Sequence, residues 1–295
     1  MEVVPLSAAG FYLRARLPLP VVPHSIPRGP GPNRWLEGHG GRVRVRGGKY
    51  LEDRVKAPSL PSLFGVLGVD STLRDDKHAK SISHMSARPG SFRSRFFSLS
   101  PPPSSSAPFL LVFNFVLPWG NMCIYAAREA RGEVPERERK GEALWRRFLE
   151  GDGEFRKERL KIIPTVEAGP WVVQKLVGSK PAILGQKVPV SYHSSPPSPY
   201  LEVSVDVSQG GAFANSIANG CMGRSADVEI TLSFLVEGRE EEELPERLLA
   251  SVTLNRLCMA NAPKLAAWEA SIAMGSDEPA GKPAVEVLSG EGGGD

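Results

Sequence analysis

The sequence predicts an α+β fold, a single domain with an antiparallel-rich sheet and helices packed on one face. Three observations predict it. First, Leu201, Val203, Val205 and Val207 alternate with Glu202, Ser204 and Asp206, and Val228, Ile230, Leu232, Phe234 and Val236 alternate with Glu229, Thr231 and Ser233. This is the two-residue period of strands that bury one face and wet the other. Second, Phe109 to Leu117 is apolar on both faces, as a central buried strand is, and Pro118-Trp119-Gly120-Asn121 turns it into a returning strand from Met122 to Ala127. Third, Glu136 to Gly151 has the marks of a helix. Pro135 and acids open it, Leu144, Trp145, Phe148 and Leu149 form one apolar stripe, and Gly151 stops it.

The remaining elements follow in chain order. Residues 1 to 34 carry Pro and Gly without a sustained period and read as a disordered leader. Arg42-Val43-Arg44-Val45-Arg46 alternates strictly and reads as a short edge strand. Lys56 to Leu63 is extended around Pro58 and Pro61, and Leu63 to Asp70 is apolar but too short to type. Residues 71 to 108 are polar, with a Pro/Ser run near 101, and read as a long surface loop. Trp171 to Val177 is a short apolar run, taken as a strand with Trp171 anchored in the core. Gly211 to Gly223 is rich in small residues and reads as a helix lying close on the sheet. Pro245 to Leu249 reads as a short helix, Ser251 to Leu257 as a last strand, and Lys264 to Ala273 as a terminal helix before a flexible tail. The organisation is thus a leader (1–34), one domain (35–260) and a tail (261–295), with about 200 to 230 residues in the folded part.

Composition bounds the function. The 295 residues are 41% hydrophobic and 23% charged, and the net charge of +3 is too small to argue for nucleic acid. The basic residues crowd the head: Arg14, Arg16, Arg28, Arg34, Arg42, Arg44, Arg46 and Lys49 face only Glu2 and Glu37 before Tyr50. Such a head is either a solvated leader or a contact for phosphate groups. Three widely spaced cysteines, Cys123, Cys221 and Cys258, make neither a disulfide framework nor a zinc site, which fits a reducing compartment. No apolar run reaches the roughly 18 residues of a spanning helix. The expected location is cytoplasmic, with peripheral membrane contact, and organelle import is an alternative suggested by the acid-poor start.

Several collinear blocks resemble a known family. They run from Arg44-Val45-Arg46-Gly47-Gly48-Lys49-Tyr50-Leu51 and Leu63-Phe64-Gly65-Val66-Leu67-Gly68-Val69-Asp70 to Phe148-Leu149-Glu150-Gly151-Asp152 and Arg159-Leu160-Lys161-Ile162-Ile163-Pro164. Gly169-Pro170-Trp171-Val172-Val173, Val177-Gly178-Ser179-Lys180-Pro181-Ala182-Ile183-Leu184-Gly185, Tyr200-Leu201-Glu202-Val203 and Glu241-Glu242-Glu243-Leu244-Pro245 follow. Together they are similar to the C-terminal domain of the plant ENHANCED DISEASE RESISTANCE 2 family, over roughly residues 35 to 258. The resemblance implies a domain whose biochemical role is unassigned. In longer members it accompanies lipid-binding modules in negative regulators of cell death and defence. At 295 residues, this chain is expected to be too short to hold those modules upstream.

Motifs give no catalytic centre. No P-loop, Gly-x-Gly-x-x-Gly helix start or Gly-x-Ser-x-Gly occurs. His78, His84 and Cys123 lack metal-ligand spacing and read as surface histidines and a buried thiol, and Glu202 and Asp206 as a solvated strand face. Arg156, Lys157, Arg159 and Lys161 interleave with Glu154 and Glu158, as a salt-bridged surface does. The candidate ligand or head-group contacts are Lys175, Gly178 and Lys180, two cations around a glycine that lets a ligand approach the backbone. The expected function is a non-catalytic regulatory or lipid/membrane-associated binding module. It needs no cofactor, and its partner is an anionic lipid surface or a protein, not nucleic acid. A protein–protein scaffold and an enzyme with an unrecognised site are the competing readings. A cavity lined by apolar residues and rimmed by Lys175 or Lys180 favours the first of the three.

Overall fold

The structure is a computed structural model and describes residues 25–76, 81–88, 90–99, 108–128, 134–177, 180–195 and 198–274. Twelve strands lie among these residues: β1 (Arg34–Glu37), β2 (Arg44–Arg46), β3 (Lys56–Pro58), β4 (Gly65–Leu73), β5 (Phe109–Leu117), β6 (Gly120–Arg128), β7 (Leu160–Ala168), β8 (Ala182–Ile183), β9 (Val190–Ser195), β10 (Ser198–Asp206), β11 (Glu229–Val236) and β12 (Leu248–Asn255). The α-helices are α1 (Tyr50–Asp53), α2 (Phe92–Leu99), α3 (Glu136–Glu150), α4 (Gly153–Arg159), α5 (Trp171–Val177), α6 (Leu184–Lys187), α7 (Gly211–Arg224) and α8 (Leu265–Met274).

The α+β class and the antiparallel bias are borne out, with the strands shared among three sheets. One sheet has the order β1-β12-β11-β7-β8, a second has β4-β6-β5-β10-β9, and β2 pairs with β3 alone. Every pairing is antiparallel except β5 with β10, where Phe113 stands opposite Val203. The two five-stranded sheets face each other across the main core. Phe113 of β5 stacks on Phe234 of β11 with ring centroids 3.8 Å apart, and Leu111, Ile124 and Val203 from one sheet share a cluster with Leu160, Ala250 and Val252 from the other. The helix α3 adds Leu144, Trp145 and Phe148 to that cluster, as its stripe foretold, and the Trp145 ring meets Phe64 edge-on at 5.1 Å. The hairpin of β5 and β6 turns through Gly120, where a Cβ would lie 1.9 Å from the Thr72 carbonyl oxygen. Only glycine fits there.

Each sheet is also covered outside. On the β5 sheet, α2 and α8 bury Phe92, Phe96, Phe97 and Trp268 against Leu110, Val112 and Tyr125. The stretch expected as a long surface loop therefore holds the end of β4, a turn at Met85–Ala87 and the helix α2. Phe92 and Phe96 are four residues apart, one helical turn, and their burial outweighs the arginines between them. On the β11 sheet, Val45 of β2 and Val43 just before it lie on Ile163, Leu235 and Leu248.

Four further expectations are corrected. Trp171–Val177 is the helix α5, not a strand. Amides of Val173 and Gln174 bond back to the Pro170 carbonyl, and a seven-residue apolar run fits either period. Trp171 itself is 71% exposed. Pro245–Leu249 is no helix: a 3-10 turn at Glu241–Glu243 leads into β12. Glu246, Arg247, Leu248 and Leu249 are all buried, four successive positions that a helix with one face on the core cannot bury together, and Glu243 and Glu246 are held by Arg159 and Lys161. Glu202 is fully buried rather than solvated. It accepts from the amides of Met85 and Ser86 at 3.0 and 2.9 Å and from Asn114 Nδ2 at 3.0 Å. The segment over Glu202 supplies the donors that the strand pattern could not reveal. Finally, residues 25–33, read as part of the leader, are tied to the domain. The Ile26 amide donates to Val69, Ser25 Oγ donates to Asp70 at 2.6 Å, and the Trp35 indole donates to the Ile26 carbonyl. Residues 1–24 of the expected leader and 275–295 of the expected tail lie outside the described residues.

Candidate functional site

At one end of the sandwich, past the stacked Phe113 and Phe234, the two sheets enclose a cavity of about 260 Å³. Strand periodicity builds two of its walls. Phe115, Leu117 and Met122 point in from β5 and β6, and Pro164, Ile230, Leu232 and Leu254 point in from β7, β11 and β12. Helical periodicity builds the cap: Val173 and Val177 lie four apart on α5, and Ala218 and Met222 four apart on α7. Trp119, on the β5–β6 turn, reaches over to α7, its Nε1 3.5 Å from the Ala218 carbonyl. The close packing on the sheet expected of the small residues of α7 is not borne out: Gly220 and Gly223 are exposed, and a Cβ at either would meet nothing within 4 Å. Half-buried Trp119, Val177 and Met222 mark where the cavity meets solvent.

The lining is chemically uniform. Ser225 is the single polar residue among those that line it, and its hydroxyl donates to Met222 O at 3.0 Å and accepts from the Met259 amide at 3.3 Å. No charged side chain lines the cavity. Such a space rejects polar groups, which would lose hydrogen bonds to water without replacement. An apolar cavity of about 150 Å³ stays dry and takes a benzene-sized ligand. The larger space here has room for a longer apolar group.

The outer face of α5 is unlike its inner face. Val173 is 3% exposed on the cavity side, while Trp171, at 71%, and Val172, at 38%, face outward. Lys175 is exposed beside them, its Nζ 6.0 Å from the Trp171 ring centre. Of the three expected contacts, Lys175 thus sits on a helix that caps the cavity. Lys180 is exposed on the approach to β8, which pairs with Lys161 and Ile162 at the start of β7, so it belongs to a different part of the sheet. Gly178 lies outside the described residues. Sequence reasoning missed the cavity itself. The only signal for it was the i, i+4 spacing of Val173 with Val177 and of Ala218 with Met222.

Polar groups elsewhere are arranged differently. His84 is half-buried instead of lying on a free loop. It stacks on His193 at 4.2 Å, and its Nε2 is 3.7 Å from Glu202 and 3.4 Å from the Tyr200 hydroxyl. His78 lies outside the described residues. Cys123 is a buried free thiol, as expected, and burial pushes its ionisation well above the usual thiol range, so it stays protonated. The basic stretch after Phe155 is ion-paired but partly buried: Arg159 meets Glu243 at 2.7 Å and Lys161 pairs with Glu246. Among the described residues, no group of three or more His, Cys, Asp or Glu could hold a metal ion, and no helix is long and apolar enough to cross a membrane.

Comparison with known proteins covers the same span as the sandwich. The family model described as "Protein ENHANCED DISEASE RESISTANCE 2, C-terminal" matches residues 35–257. A curated relative from Arabidopsis thaliana, "Protein ENHANCED DISEASE RESISTANCE 2-like", is 30% identical over 233 residues, 78% of this chain. The chain spans 29% of that relative's length. No solved structure matches.

Proposed function

The chain belongs to the ENHANCED DISEASE RESISTANCE 2 C-terminal family, and from that premise we propose that it is a non-catalytic lipid-binding module that holds an acyl chain in the cavity between its sheets. The observation that carries this reading is the pairing of an apolar cavity with an outward Trp–Val–Lys face on the same seven-residue helix. An aliphatic chain loses only water on entering such a space and gains about 25 cal/mol per Å² of buried apolar area. A head group stays outside, because no buried donor could replace its hydration. Trp171 and Val172 are the residues that meet the membrane interface, where an indole places its ring among the head groups, and Lys175 faces the anionic surface. The module works at the cytoplasmic face of a membrane as a peripheral protein, without cofactor or nucleic acid.

The same exposed pair, Trp171 and Val172, supports a second reading, a hot spot for a protein partner. One experiment separates the two. Lipids are extracted from the purified chain and identified by mass spectrometry, and the chain is sedimented with phosphatidylserine vesicles. Acyl lipid recovered near one per chain, with vesicle binding that weakens in Trp171→Ala, supports lipid binding. An empty chain that ignores vesicles leaves the protein-partner reading in its place.

A further inference from the structure

On the opposite side of the β11 sheet from the cavity, the β2–β3 hairpin roofs a polar cleft of about 200 Å³. The two sites are separated by the sheet itself: Ile163 lines the cleft and the next residue, Pro164, lines the cavity. The hairpin register sets the charge of the cleft. Arg46 stands directly opposite Lys56, and Arg44 lies two residues along β2 from Arg46, so all three cations project on one face. Like charges directly opposite across a strand pair repel and destabilise the pair.

The cations are treated unequally. Arg46 is neutralised: its Nη2 is 3.1 Å from Glu237, its Nε 3.8 Å from Glu246, and its Nη1 donates to the Gly238 carbonyl at 2.7 Å. Lys161, on the floor, is 5% exposed and lies between the same two carboxylates, bonded to Glu246 and 3.7 Å from Glu237. Glu237 is also held by Arg239, whose Nε is 3.0 Å away, so the two acids of the floor are fully matched by bases. Arg44 and Lys56, both exposed and both lining the cleft, have no acidic partner among the described residues; Arg44 bonds only to the Lys56 carbonyl. The guanidiniums of Arg46 and Arg54 lie 5.1 and 5.8 Å from the centre of the Tyr50 ring. The rim thus carries two positive charges without an acidic partner among the described residues, over a hollow of small-ligand size. Exposed cations left without an acidic partner beside a hollow can meet an external anion.

We propose that this cleft binds a phosphate monoester group, with Arg44 and Lys56 as its charged clamp and the Tyr50 hydroxyl as a further donor. Arginine suits a phosphate because its planar fork donates two parallel hydrogen bonds, and lysine adds a point charge. The carboxylates of Glu237 and Glu246 face Lys161 and Arg46 and so do not repel the anion from the rim. The group belongs to a lipid head or to a soluble phosphomonoester, and the site does not depend on the cavity being a lipid site.

The test uses the full chain and the double variant Arg44→Gln/Lys56→Gln. Inorganic phosphate, glycerol 3-phosphate and phosphatidate vesicles are each titrated against a chloride control of equal ionic strength, which removes simple screening. Inorganic phosphate should raise the Tm of the full chain saturably, and the double variant should bind it at least tenfold more weakly. Without anion, the double variant should melt at the same temperature or higher, since it has lost a like-charge face. A vesicle response lost in the variant assigns the lipid head as source; a response lost only for glycerol 3-phosphate assigns a soluble compound. The proposal is overturned if phosphate gives no shift beyond chloride, if the variant responds like the full chain, or if the variant melts many degrees lower without anion.

Discussion

Trp171 is where a single residue most changes the account. On sequence it looked like a core anchor, because large aromatics in short apolar runs usually are, yet its ring stands in solvent beside Lys175. Trp171→Ala should therefore change stability by no more than about 0.5 kcal/mol, as exposed substitutions do, rather than the 3 to 5 kcal/mol of a buried ring. Urea unfolding decides between them, and vesicle binding should fall in the same variant. Asp70 gives a second residue-scale test. It lies in the buried strand β4, where burial raises its pKa to about 6 from 3.8, and the hydrogen bond from Ser25 only partly opposes this. A carboxyl with a raised folded pKa destabilises the fold above that pKa and ceases to do so as pH falls through 6 toward 4. The two-unit shift is worth at most about 3 kcal/mol. Asp70→Asn should be more stable than the unaltered chain at pH 7, and the gap should shrink at pH 5. A gap that widens on acidification contradicts the assignment. Asp70 and Glu202 share one lesson: strand alternation shows which side chains point together but not whether another segment covers them.

At the scale of elements, the legible ones were those whose pattern has one reading. The strands β5, β10 and β11 and the helix α3 fall where alternation, continuous apolarity and the Leu144–Trp145–Phe148 stripe put them. α5 did not, because Trp-Val-Val-Gln-Lys-Leu-Val is apolar at too many positions for its period to show, and only the contact with the cavity tells Val173 from Val172. β7 was not read as a strand at all. Pro164 interrupts it, and charged Lys161 lies within it, paired to Glu246 only after the chain has folded. The β5–β6 turn was legible and makes a sharp test. Gly120→Ala would drive a Cβ into the Thr72 carbonyl, so β4 or the turn must move. The variant should lose on the order of 2 to 3 kcal/mol, a value that strain at a constrained backbone position reaches. Chemical denaturation at equilibrium measures it, and an unchanged midpoint would refute the close approach.

For the whole molecule, the sequence conveyed class and extent but not the division into facing sheets, because the stacking of Phe113 on Phe234 joins residues 121 positions apart with no local signal. The extent needs adjusting at both ends. Ser25, Ile26 and Trp268 belong to the packed structure, so a fragment of residues 25–274 should melt cooperatively within a few degrees of the full chain. A fragment of 35–262, lacking those contacts, should melt lower in the same calorimeter run. The candidate site was half legible: Lys175 was singled out, but the space beneath its helix is a product of tertiary packing that no linear pattern contains. The central claim, that this space holds an acyl chain, is tested most directly by an equilibrium titration of a fluorescent fatty acid against the unaltered chain and Ala218→Phe. The new ring would occupy the cavity from α7, and a Tm within a few degrees of the original would verify the fold. The account requires saturable binding by the unaltered chain at about one site and at least a tenfold loss in the folded variant. Equal binding by both, or none by either, would contradict it.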